Sequence, residues 1–188
     1  MIKAYIDFKS LECFLAIDPI ISLAQESGVD IDWKPFSSRP RALPTHVVDE
    51  NVTQTHQRVR AASEHRLRHH YAAVRGYDVK EEPITKDSTK ALIRLNQITG
   101  DRTEFVKQAF DACWLRGLDL NDADLIDDIC VNSSVKYDST KEDFNQIQAI
   151  AEEAGLFDAP TFVIDGQLFM GRAHIPWMRQ LLRDLNKR

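Results

Sequence analysis

Cysteine is scarce in this chain, with three residues among 188, at positions 13, 113 and 130. Thiols so few and so irregularly spaced exclude a disulfide-stapled scaffold, and no pair has the spacing of a metal site. Long apolar runs are missing too. None reaches the roughly 18 residues that a membrane helix needs, so no membrane partner is expected. An excess of positive charge is also absent. The formal net charge is -5, which gives no general attraction to nucleic acid or anionic lipid, and no nucleic-acid partner is expected. Repeats and low-complexity tracts are lacking. The first residues, MIKAYIDF, have neither the charged start nor the apolar core of an export signal, and a cytoplasmic location is expected. What is present is a hydrophobic content of 43%, enough for one sizeable globular domain or a domain with a large insertion.

The pattern changes twice along the chain. Lys3 to Phe8 reads as a short buried strand. Phe14, Leu15, Ile20, Ile21, Leu23 and Ala24 recur at helical spacing, and Gly28 follows where a helix ends. Pro19 lies inside that pattern and is expected to kink the helix near Leu15 to Pro19. Val29 to Lys34 alternates as a second strand, so the two strands are expected to be parallel. Pro35 to Glu50 reads as a loop. Helical stretches follow over Gln54 to Arg75, Thr89 to Thr99, Thr103 to Leu115, Ala123 to Ser133 and Lys141 to Ala154, with Asp101, Asp122 and Thr140 as caps. Thr161 to Ile164 and Gln167 to Met170 then form a hairpin across Asp165-Gly166, a strong two-residue turn signal. Ile175 to Asn186 closes the chain as an amphipathic helix.

The order βαβ, helices, ββα is an α/β thioredoxin-type fold with an inserted α-helical domain. The expected division is 1–50 and 141–188 for the thioredoxin-like part and 51–140 for the insertion. The start of the first helix should then lie beside the loop that carries Pro160.

At that helix start stands "DFKSLECFLA", with Ser10-Leu11-Glu12-Cys13 inside it. A C-x-x-C at a strand-to-helix junction would suggest thiol–disulfide exchange. Serine at the first position removes the attacking sulfur, so two-cysteine exchange cannot run. Ser10 is a good N-cap for a helix whose first N–H groups need partners. Its hydroxyl at a helix terminus is also suited to stabilise a thiolate brought by a ligand. Cys13 reads as a small core hydrophobe or as a lone redox thiol that forms a mixed disulfide.

Three stretches resemble one family. "DFKSLECFLA" is similar to the D-F-x-S-P-aromatic-x-aromatic-L-A signature of 2-hydroxychromene-2-carboxylate isomerases and kappa-class glutathione transferases. "FDAPTFVIDGQLFMGRAHI" resembles their C-terminal F-G-V-P-T-F…D-G-x-x-F-W-G block, and Arg66 to Gly76 resembles their insert helix. All belong to the DsbA-like branch of the thioredoxin superfamily. The resemblance implies that Ser10 hydrogen-bonds the sulfur of reduced glutathione. It implies a cis bond before Pro160, with the backbone of Ala159 paired to the tripeptide. It places the γ-glutamyl contacts in Gly171-Arg172-Ala173-His174, with Arg172 and His174 as candidates. Leu11, Glu12 and Ala173 depart from the pattern. Glu12 sets a carboxylate near the presumed sulfur, and Ala173 removes an acidic partner for the ligand's ammonium group.

Other features have two readings each. Without the resemblance, Pro160 is an ordinary trans proline at a strand start. His65, Arg66, Arg68, His69 and His70, extended by Arg58, Arg60 and Arg75, form either a solvated basic face or a positive wall for an anionic substrate. His65 and His69 have zinc-compatible spacing, but no supporting acidic motif accompanies them, and no metal is expected. Trp33, Phe36 and Trp114 line either an aromatic pocket or the core. Cys113 and Cys130 read as core.

The leading expectation is a glutathione-dependent isomerase or transferase acting on a small aromatic or unsaturated acid, with Ser10 catalytic. The alternatives are a thiol oxidoreductase using Cys13 and a non-catalytic ligand-binding member of the fold. A homodimer is permitted by exposed apolar residues on the insert.

Overall fold

The computed structural model describes residues 1–38, 50–79, 87–140 and 143–187. Most of the expected loop from Pro35 to Glu50, and the expected helix start at Lys141, lie outside the described residues.

A four-stranded mixed sheet in the order β2-β1-β5-β6 forms the centre. Its strands are β1 (Ile2–Ile6), β2 (Ile31–Pro35), β5 (Thr161–Ile164) and β6 (Gln167–Met170). β1 pairs with β2 in parallel and with β5 antiparallel. The parallel pair is the one joined through α1 (Leu11–Ser27), as a strand–helix–strand unit requires. The β5–β6 hairpin has the expected boundaries. Asp165 at φ 49° and Gly166 at φ 76° form its turn, the two positive angles that this turn type demands. Gly28 takes φ 63° after α1 and returns its N–H to Ala24 and Gln25.

α1 runs unbroken through Pro19. Proline has no N–H to give to the carbonyl four residues back, so the Leu15 oxygen is released from the helix ladder. Arg75 takes it with a 2.9 Å hydrogen bond and reaches Asp18 at 3.0 Å; Tyr77 donates to the same Asp18 carboxylate. The proline thus creates the acceptor that ties the end of α2 (Val52–Val74) to α1.

The helical segment continues with α3 (Thr89–Gln97), α4 (Thr103–Trp114) and α5 (Ala123–Asn132). A two-stranded ladder, β3 (Ile98–Thr99) with β4 (Lys136–Tyr137), joins them. These residues were not expected as strands; two-residue strands are too short to show periodicity. Then come α6 (Phe144–Glu153) and, after the hairpin, α7 (Ile175–Leu185). Asp122 caps α5 as expected, whereas Asp143, not Thr140, caps α6. Thr140 instead bonds to Asp138.

One hydrophobic core joins the sheet, α1 and the helical segment. Phe8 lies 4.9 Å from the ring of Phe110 and 6.2 Å from that of Phe105, which brings α4 against the end of β1. Trp33, Phe36 and Trp114 are 1%, 1% and 3% exposed. They are core, the second of the two readings that the sequence left open. Their indoles are satisfied internally, Trp33 on Thr103 and Trp114 on the Phe8 carbonyl. Among the described residues, no helix is long and apolar enough to cross a membrane.

Candidate functional site

The N-terminus of α1 and the loop before β5 meet at Ser10. The Ser10 hydroxyl accepts from the Cys13 N–H at 3.3 Å and donates to the Ala159 carbonyl at 3.5 Å. It is a helix cap and a bridge at once. The Ala159–Pro160 bond is cis, as the resemblance implied. The loop is held from both sides. The Ala159 N–H donates to the Asp158 carboxylate at 2.9 Å, Thr161 donates to the Asp158 carbonyl, and Gly171 donates to the Pro160 carbonyl. Both backbone polar groups of Ala159 are therefore engaged within the chain, and an extended ligand would have to exchange for these bonds.

Asp7 and Cys13 lie beneath this surface, and the part played by Asp7 was missed from sequence. Asp7 is fully buried. Its carboxylate accepts from the Ser38 N–H and hydroxyl, each at 2.8 Å, from the Ser88 hydroxyl at 2.8 Å and from the Lys9 N–H at 3.2 Å. Lys9 Nζ stands 3.6 Å away. The Asp7 N–H in turn donates to Cys13 Sγ at 3.4 Å. The only signal in the sequence was an aspartate closing an apolar strand.

Cys13 is fully buried and unpaired. Burial drives its pKa far above the ordinary thiol value, and the Asp7 charge adds to the rise; hydrogen bonds from Asp7 and Ser10 only partly offset it. At neutral pH it is a thiol. The linkage has a definite sign. An unfolded cysteine ionises near pH ~8.5. The stability tied to the raised pKa is therefore complete below that pH and is lost as pH rises above it. Tyr77, pushed up to about 12 by burial and by its bond to Asp18, acts in the same direction above pH ~10. Chemical denaturation at pH 7, 9 and 10.5 should show a progressive loss of stability, and Cys13→Ala should make the part between 7 and 9 shallower, with the remainder carried by Cys130, whose pKa burial also raises. An equal slope in that variant would show that Cys13 does not carry it.

Of the two polar residues placed after the hairpin, only one reaches the helix start. Arg172 pairs with Glu12 at 3.1 Å and lies over the Tyr71 ring at 3.6 Å. It thereby joins the turn after β6 to α1 and α2. Position 173 is alanine in this chain, and the nearby carboxylate is that of Glu12, which faces Arg172. His174 turns the other way, toward Phe169 and Trp177, with ring centroids 6.5 Å distant in each case. Its Nδ1 is shielded from solvent and has no hydrogen-bond partner among the described residues.

The basic cluster on α2 does not converge on one point. Arg58 pairs with Glu50, Arg60 with Glu64 and Arg75 with Asp18. The His65 and His69 rings lie 4.4 Å apart, tilted by 39°. Among the described residues no group of three side chains could hold a metal ion. A cleft of about 650 Å³ opens at the far end of α1, beside Gly28, Asp30 and Thr103, away from Ser10.

A helix N-terminus facing a cis-proline loop across a mixed sheet, with a helical segment inserted between, defines a thioredoxin-type protein of the DsbA-like class. A family model agrees: the DSBA-like thioredoxin domain matches residues 1–183, and the chain belongs to that family. A 2-hydroxychromene-2-carboxylate isomerase structure superimposes with TM-score 0.72 at 15% identity, covering 99% of this chain and 96% of that one. A DsbA oxidoreductase candidate from Streptomyces coelicolor gives TM-score 0.64 at 15% identity, covering 100% and 90%. A protein disulfide isomerase candidate from Nitrosomonas europaea gives 0.65 at 13% identity, covering 99% and 97%. At these identities the likeness is one of fold. A search of curated protein sequences found no match.

Proposed function

We propose that this chain is a glutathione-dependent isomerase or transferase of the 2-hydroxychromene-2-carboxylate isomerase type, acting on a small aromatic or unsaturated acid. One observation carries the reading. The Ser10 hydroxyl stands at the α1 terminus, 3.5 Å from the carbonyl of the cis-proline loop, while the neighbouring cysteine is a buried thiol. The half-buried Ser10 hydroxyl at the helix start suits a sulfur anion, and the chain presents no accessible sulfur there, so the thiolate comes with the ligand. The helix terminus and the hydroxyl lower the energy of that anion. The sulfur lone pair forms a C–S bond to the activated double bond, and the π electrons move into the conjugated acceptor. The resulting single bond rotates. Return of the electrons expels the thiolate and leaves the isomer, so no net redox change occurs.

The remaining residues have roles in this scheme. Ala159 and Pro160 position the tripeptide once the internal bonds of Ala159 are exchanged. Arg172 meets a carboxylate when it is released from Glu12, whereas His174, turned toward Phe169 and Trp177, takes no part in the contact. Thiol exchange through Cys13 needs an accessible thiolate, and the burial of Cys13 weighs against it.

The test is a calorimetric titration with reduced glutathione at neutral pH. Saturable binding is expected, weakened about tenfold, or ~1.4 kcal/mol, in Ser10→Ala. The same variant should lose about 1 kcal/mol of stability as its cap is removed. Absence of binding at millimolar glutathione would sink the reading.

A further inference from the structure

The cleft of about 650 Å³ at the far end of α1 has no part in the chemistry proposed at Ser10. Three segments wall it: the last turns of α1 with Gly28, the entry to β2, and the β3–α4 turn. Its volume falls within the range of small-molecule sites, about 300–1,000 Å³. Ile21, Ala24, Val29 and Ile31 give it an apolar wall that packs on the core. A Cβ added at Gly28 would meet nothing within 4 Å, and the same holds at Gly100, so the backbone is open to a ligand at both turns.

The charge of the cleft has one sign. Asp30 and Asp101 line it, and no basic residue does. Asp101 Oδ1 accepts the Thr103 N–H at 2.9 Å and the Thr103 hydroxyl at 2.7 Å, which leaves Oδ2 uncommitted. The side chain of Asp30 is exposed and has no partner among the described residues. Bases close by in the sequence are held elsewhere. Arg102 pairs with Asp32 and bonds to the Trp33 carbonyl, and Lys34 pairs with the same Asp32. Lys136 lines a separate, smaller cleft that also touches Asp101. α1 adds to the sign, because the carbonyl end of a helix carries partial negative charge and its last turn holds no basic residue.

An apolar wall beside two carboxylates, with no base between them, is complementary to a cation that carries an apolar body. An anion would be repelled, and a neutral apolar molecule would leave the carboxylates unmatched. We propose that this cleft binds a small organic amine, with its ammonium group on Asp101 and Asp30 and its apolar body against Ile21, Ala24, Val29 and Ile31. The inference does not depend on the glutathione reading, because the cleft lies at the opposite end of α1 from Ser10.

The site has its own reporter. The Trp33 indole donates to the Thr103 hydroxyl at 3.0 Å, and that hydroxyl donates to Asp101. A cation drawn to Asp101 therefore acts on the indole through one hydroxyl, and tryptophan fluorescence should change on binding.

Three probes with similar bodies and different heads test the proposal: 2-phenylethylamine, 2-phenylethanol and 3-phenylpropionate. Titration calorimetry at neutral pH and low salt should show the amine binding about tenfold more tightly than the alcohol, and the acid not at all. Asp101→Asn keeps an acceptor for Thr103 and so keeps the start of α4. This variant and Asp30→Asn should each weaken the amine about threefold and leave the alcohol unchanged. The double variant should bring the amine to the affinity of the alcohol, lose the fluorescence change, and keep the circular dichroism spectrum of the wild type. An amine that binds no more tightly than the alcohol would overturn the proposal. So would the absence of amine binding at millimolar concentration, or an unchanged affinity in the double variant, which would put the amine elsewhere on the chain.

Discussion

Asp7→Ala is expected to lower the unfolding free energy by about 3–5 kcal/mol, a large part of what a domain of this size has. The side chain is fully buried, and it accepts hydrogen bonds from three separate parts of the chain: Lys9, Ser38 and Ser88. Removing it leaves the Ser38 N–H and two hydroxyls without their acceptor, and an orphaned buried donor costs about 1–3 kcal/mol. Asp7→Asn keeps one acceptor oxygen and should lose about half as much. Urea unfolding followed by the fluorescence of the buried Trp33 and Trp114 measures both. A loss under about 1 kcal/mol in the alanine variant would mean that Ser38 and Ser88 find other partners. The substitution also removes one of the charges that holds the Cys13 thiol protonated, so Cys13 should react faster with alkylating reagents.

Glu12→Gln is expected to tighten glutathione binding by about tenfold, ~1.4 kcal/mol. Glu12 stands in the first turn of α1, where its charge favours the helix terminus and competes with any anion brought to it. It also holds Arg172 at 3.1 Å. Neutralising it removes the competitor and frees the guanidinium to meet a ligand carboxylate. The variant should pay a few tenths of a kcal/mol in stability for the lost helix-terminus interaction. Arg172→Ala should act in the opposite sense and weaken binding by a similar factor. Titration calorimetry on the two variants decides it. If Glu12→Gln weakens binding, the carboxylate belongs to the ligand site, as a partner for an ammonium group.

Local features were legible where one short stretch holds all the necessary chemistry. Asp165-Gly166 specifies its turn because two positive φ angles are needed and glycine supplies one freely. Ser10 and Gly28 mark the ends of α1 because capping involves only neighbouring residues. Pro19 was legible as a missing hydrogen bond; that Arg75 would take the released carbonyl was not, because the two residues meet only after α2 has docked. The position of Ser10 beside Pro160 followed from the order of the elements. The cis bond at Pro160 followed from the resemblance alone.

Residue types and spacing, by themselves, determined the βαβ–helices–ββα order and the absence of a second cysteine in the S-x-x-C stretch. These depend on periodicities and on side chains that are present or absent in one segment. Tertiary structure alone decided which groups meet. It set Glu12 against Arg172, 160 positions away, buried Trp33, Phe36 and Trp114 in the core, and buried Cys13 so that its thiol stays protonated. The reason is physical. Burial and charge pairing are properties of the surroundings that distant segments create, and a carboxylate, a thiol or a guanidinium acquires its chemistry from those surroundings.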